Sequence, residues 1–138
     1  LTVNTIISPD SDILTIKAET VDIEGHLQSS GPVPTAIVGS GTFLGGVALG
    51  PNSTDTCGRI NCTNAGAALD EIKVTYSTPF PVASFEQHVF VSARNTEAAD
   101  SIALGYWTAT DSDHFAIHFT GATAAGASFN YFVIDSYV

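Results

Sequence analysis

The run Phe129-Asn-Tyr-Phe-Val-Ile134 constrains this chain more than any other segment. In an extended strand, Phe129, Tyr131 and Val133 point one way, while Asn130, Phe132 and Ile134 point the other. A strand that is apolar on both faces needs cover on both sides. A domain of this size cannot supply both layers alone, so the second cover is expected from another copy of the chain. The strand closes a longer unit, His114 to Asp135, in which two strand-like runs flank a loop of small residues. A multimeric scaffold or adhesin fits this pattern better than a self-contained enzyme.

Charge narrows the classes further. Four Lys and Arg stand against 14 Asp and Glu, a formal net charge of -10. Nucleic-acid binding through phosphate neutralisation and a polybasic membrane contact are both excluded on that count. No apolar run approaches the ~20 residues of a membrane-spanning helix, so no membrane insertion is expected. Charged residues are only 13% of the chain, and small and β-forming residues abound, as in all-β extracellular or virion proteins. With no Met and a first residue Leu1, the chain reads as a processed product or the end of a longer polypeptide.

Residues 1–30 differ from the rest. Leu14, Ile16 and Ala18 alternate with polar neighbours, and Val21 and Ile23 alternate on the opposite parity. That switch requires a bulge or corner, and one copy buries too little apolar surface to stand alone. The segment reads as a short β-structured stem whose core several chains share, or as a terminal arm packed on the domain. Gln28 to Pro34 is a linker broken by Pro and Gly.

From residue 31 to 138 the strands recur every ten to fifteen residues. They include a Gly-punctuated region over 36–49, then Ile72–Tyr76, Phe85–Ala93, Ile102–Thr108, Phe115–Phe119 and the terminal run. The expected fold is all-β, a compact antiparallel, jelly-roll-like sandwich over 31–138 behind a stem over 1–30. Asn64–Glu71 is the one helix-compatible stretch, at most a turn, and Asn95–Ser101 reads as a loop.

Val74-Thr-Tyr-Ser-Thr-Pro-Phe-Pro-Val-Ala-Ser-Phe85, then His88–Ala93, Phe115–Phe119 and Ala125–Ile134, resemble the small C-terminal domains of tailed-bacteriophage fibres and virion appendages. Gly50–Ile60 is similar to their upstream Gly/Asn/Thr-rich hairpin, and Ile6–Ile16 with Val21–Gly25 to the stem before such tips. The resemblance implies a homotrimer at the end of a fibre, working in the virion beside other virion proteins. It implies host-surface recognition, of a glycan or a protein, or alternatively capsid decoration. A carbohydrate-binding module of a secreted enzyme is the reading from another class, and it predicts a monomer.

Chemical motifs are sparse. No nucleophile elbow or phosphate-binding loop is present, no two carboxylates are singled out as a glycosidase pair, and neither catalysis nor a cofactor is expected. His114 and His118 share a strand with Phe115, Ile117 and Phe119, so their rings stand ~13 Å apart on the opposite face and cannot share a metal within one chain. In a trimer a histidine near the axis appears three times and could bind a metal. His26, just after the stem, is the first candidate for such a position, but exposed or hydrogen-bonded histidines are the expectation. Asp111-Ser-Asp113 and Asp10-Ser-Asp12 read as Asx turns rather than calcium loops. Asn52 and Asn61 head formal glycosylation sequons, expected by chance in so Ser- and Thr-rich a chain. Cys57 and Cys62 form a disulfide if Gly58 bends the chain into a turn; in one straight strand they lie ~16 Å apart and stay free. Tyr106 and Trp107, with Asp111 and Asp113, are the candidate binding residues, since exposed aromatic rings beside acidic groups suit sugars. The alternative places one ring of the Tyr106–Trp107 pair in the core and the other at a subunit interface. Loops 50–64, 95–101 and 108–114 are the surfaces expected to meet a receptor.

Overall fold

The computed structural model describes residues 20, 22, 24, 31–43, 45–80 and 85–137. The stem, with His26, and the Asp10–Asp12 turn therefore lie outside the described residues, apart from those three isolated positions. Among the described residues the strands are β1 (Ala36–Gly39), β2 (Val47–Leu49), β3 (Cys57–Cys62), β4 (Glu71–Thr75), β5 (Phe85–Ala93), β6 (Tyr106–Thr110), β7 (His114–Phe119) and β8 (Ser128–Tyr137), with one α-helix, α1 (Thr96–Ala103), and a 3-10 turn at Gly41–Phe43. They form two antiparallel four-stranded sheets, β1-β4-β7-β6 and β2-β3-β8-β5. The chain is an all-β sandwich.

One long ribbon organises it. Cys57 pairs with Phe132, Gly66 with Thr123 and Thr75 with His114, so 57–75 oppose 114–132 in a single unbroken register. β3 and β8 are the half of this ribbon in one sheet, and β4 and β7 the half in the other. The crossing falls at Gly66 and Thr123, whose backbone groups exchange two hydrogen bonds of 2.8 Å. Rolling a paired ribbon over itself is what gives the sandwich its jelly-roll character. It also explains the loop of small residues before β8: the ribbon bends where bulky side chains would collide. A Cβ on Gly66 would sit 2.1 Å from the Phe43 ring.

Strand alternation builds the core from both sheets. Ile72, Val74, Phe115, Ile117 and Phe119 point inward from one, and Ile60, Phe129, Tyr131 and Val133 from the other, all buried. Phe119 lies against Phe43 and Phe129 with ring centroids 6.1 and 5.1 Å away, and Phe115 against Tyr131 at 5.1 Å. Polar ties close one end. The Asp55 carboxylate accepts from Ser77 N, Ser77 Oγ and Thr78 N, and Tyr131 Oη donates to Thr54 O at 2.6 Å. Burial raises the Tyr131 pKa, so its hydroxyl remains a donor.

Two expectations need correction. The segment 95–101, read as a loop, begins α1, and Ile102 and Ala103, read as strand, complete it. Asn95 caps the helix, its side chain accepting from Ala98 N while its amide donates to Gly126 O. The strand starts only at Tyr106, after Gly105 turns the chain at φ +100°. The second correction concerns 50–64, taken as a receptor loop. It contains β3, an interior strand of its sheet. Only the stretch before Cys57 and the turn after Cys62 are irregular.

Asp70 braces the opposite end of the sandwich. One carboxylate oxygen accepts from Thr42 N (2.9 Å), Thr42 Oγ1 (2.6 Å) and Ala67 N (2.9 Å). The Thr42 hydroxyl, followed by the backbone donors, holds its pKa below the usual 3.8. A folded-state pKa below the unfolded one stabilises the fold above the unfolded value, and that stability is lost as pH falls through the folded value. The melting-temperature gap between the native chain and Asp70→Asn should therefore be constant above pH 3.8 and shrink below it. A gap independent of pH would show that the carboxylate charge contributes nothing.

Candidate functional site

The two outer faces of the sandwich differ in chemistry. On the β1-β4-β7-β6 sheet, pairing aligns Trp107 on β6 with His118 on β7, and His118 with Glu71 on β4. The Trp107 and His118 rings stack at a centroid distance of 3.7 Å with 8° between their planes. His118 Nε2 lies 3.5 Å from a Glu71 carboxylate oxygen. Trp107 is 51% exposed although its neighbour immobilises one face. Because β6 ends the sheet, the second face of the indole turns away from His118 toward the free edge.

The candidate binding residues are thus dispersed. Tyr106 points inward, its hydroxyl donating to Val91 O at 3.3 Å, and packs on the core. Within the Tyr106–Trp107 pair, one ring belongs to the core and the other to the surface. Asp111 and Asp113 occupy the β6–β7 hairpin, at the far end of β6 from Trp107 and ~13 Å along the strand. There Asp111 Oδ1 accepts from Asp113 N and His114 N and contacts His114 Nδ1 at 2.8 Å, an Asx turn as the sequence suggested. Expectation and structure differ for the loop at 108–114, because Thr108–Thr110 belong to β6 and only 111–113 is loop. Trp107 therefore keeps different company from that expected: His118 and Glu71 instead of Tyr106, Asp111 and Asp113. Sheet pairing alone brings those two residues to it.

On the β2-β3-β8-β5 sheet the outer face carries an apolar strip. Phe90 on β5 lies directly opposite Phe132 on β8, which in turn faces Cys57 on β3. Phe90 is 57%, Ile134 44% and Phe132 38% exposed. The outward half of the doubly apolar strand is therefore left exposed among the described residues of one copy. His88, Ser92, Arg59, Asn61 and Asn130 share this face by register, and Glu86 holds the next position of the same parity at the start of β5.

Cys57 and Cys62 are both free. They end one strand on opposite parities, so Cys57 faces outward and Cys62 sits in the core at 2% exposure. The disulfide is thereby overturned: Gly58 does not bend the chain into a turn, because the ladder to β8 keeps 57–62 extended. Burial pushes the Cys62 thiol up to about 11, leaving it protonated and inert.

No group of three or more His, Cys, Asp or Glu placed to hold a metal occurs among the described residues, and no helix there is long and apolar enough to cross a membrane. Compared with known protein families, characterised proteins and solved structures, the chain gives no significant match. Its fold and its surfaces are the basis for a functional reading.

Proposed function

We propose that this chain is a non-enzymatic virion attachment module, a homotrimeric fibre tip that binds a host-surface glycan or protein. The observation that carries the reading is the uncovered strip of Phe90, Phe132 and Ile134. These side chains leave on the order of 250 Å² of apolar surface open, judged from the usual area of such residues. A stable interface takes about 800 Å² per partner, so the strip would be the apolar centre of a contact with a polar rim of Arg59, Asn61, Ser92 and Asn130. The chain carries 14 acidic residues, and like-charged copies repel. On this face the register places a single carboxylate residue, Glu86, and one Arg59, so identical copies can approach each other there. The resemblance to fibre-tip domains supplies the threefold assembly and the setting in the virion, and capsid decoration uses the same trimer. The exposed Trp107 favours a second reading, a carbohydrate-binding module that works as a monomer.

Sedimentation equilibrium at micromolar concentration separates them. The native chain should run at three times its single-chain mass, and Phe90→Glu/Phe132→Glu should run as a folded monomer. A native chain that sediments singly would end the trimer reading. Retention of the trimer on intact bacteria, competed by extracted surface polysaccharide, supports the fibre tip. Binding to particles with no binding to cells would point to decoration instead.

A further inference from the structure

We propose that Trp107 is a preformed platform for a neutral pyranose sugar, stacked on the indole face turned away from His118. The inference deepens the attachment reading and rests on it for its biological role. Three features of the outer β1-β4-β7-β6 face carry it.

First, the ring is available. Trp107 is half exposed on the terminal strand of its sheet, and a buried structural role does not account for it. Second, it is held in place. His118 stacks on one face at a centroid distance of 3.7 Å, and a Glu71 carboxylate oxygen lies 3.5 Å from the Nε2 of that imidazole. A ligand on the other face need not immobilise a swinging side chain, a cost of roughly 0.5–1.5 kcal/mol per residue on binding. Third, the shape selects the ligand. Two parallel rings present a single flat surface with a negative π face, which suits the flat C–H face of a pyranose. Quaternary ammonium sites typically enclose the cation with aromatic walls on several sides, and this site has one. An anionic glycan would meet the field of a chain with net charge -10. His118 is a positioning residue in this scheme, acting through the indole it braces.

Trp107 is the only tryptophan in the chain, so its fluorescence reports on this site alone. The full chain would be titrated with neutral glucose, galactose and mannose oligosaccharides at millimolar concentrations, beside choline chloride and a uronic-acid oligosaccharide. At least one neutral sugar should shift the emission and protect it from acrylamide quenching, with little response to the charged probes. By calorimetry, Trp107→Ala should weaken that sugar roughly tenfold, the worth of one aromatic stack. His118→Ala should change the emission of the free protein and weaken binding by less, whereas a purely structural histidine would leave the sugar response unchanged.

No response to any neutral sugar, a stronger response to choline, or calorimetric binding untouched by Trp107→Ala would each overturn the site. So would a change of sedimenting mass in Trp107→Ala, because Trp107 would then be a protein contact. A trimer that holds cells regardless of Trp107 removes the sugar site and leaves the attachment reading standing. A monomer that binds sugar through Trp107 does the reverse.

Discussion

Phe119→Ala is expected to destabilise the chain by about 3–5 kcal/mol, the usual cost of truncating a fully buried Phe. Phe119 is 0% exposed and sits between Phe43 from the 3-10 turn at 41–43 and Phe129 from the opposite sheet. Phe119 and these two neighbours thus come from three separate parts of the chain. Phe129 is fixed on a strand of the opposite sheet and Phe43 in the 3-10 turn, so they cannot close together over the vacancy, and the cavity persists. Domains of this size have about 5–15 kcal/mol of total stability, so the variant should lose a large share of it. Urea denaturation at one fixed protein concentration measures the loss. Fixed concentration matters because self-association would add its own stabilisation. A loss below about 1 kcal/mol would mean that the two sheets do not pack through this residue.

Gly66→Ala should be damaging although it adds a single methyl group. The added carbon would stand 2.1 Å from one Phe43 ring carbon and 2.3 Å from another. Phe43 is itself fully buried, so the ring has nowhere to retreat. Gly66 also pairs with Thr123 where the ribbon crosses between sheets, so moving its backbone away would strain both hydrogen bonds there. Overpacking of this kind costs about 1–3 kcal/mol and sometimes more. The diagnosis can be checked by a double-mutant cycle. Phe43→Leu will destabilise by itself, yet on that background Gly66→Ala should cost clearly less. Equal penalties on both backgrounds would show that the ring is not the obstacle, and that backbone freedom at Gly66 is what matters.

Much of the architecture was legible because strand periodicity is a local property. Phe85–Ala93 has the boundaries its alternation predicts, and the division of 129–134 into two opposite-facing sets follows from parity alone, although the packing of the two sheets decides which set turns inward. The same reasoning missed α1. Asn95 followed by Thr-Glu-Ala-Ala-Asp is an N-cap ahead of helix formers, a signal masked by treating polar residues between strands as loop. The cysteine pair shows a different limit. Turn and strand were both open for residues 57–62, and the choice fell to β8, which lies far along the chain and holds the segment straight. His118 and Glu71 could not be joined to Trp107 from spacing, since partnership across strands depends on the order of strands in the sheet.

What the sequence by itself determined is the content of each strand: which side chains share a face, that the terminal strand is greasy on both sides, and that polyanionic ligands are disfavoured. Those properties follow from alternation and charge, which need no knowledge of neighbours. Tertiary structure alone decided the rest. It placed the bend of the ribbon at Gly66, separated Tyr106 from Trp107, kept the cysteines apart, and brought an imidazole against an indole. Each of these depends on contacts between residues distant in the chain, where backbone pairing and core packing outweigh local preference.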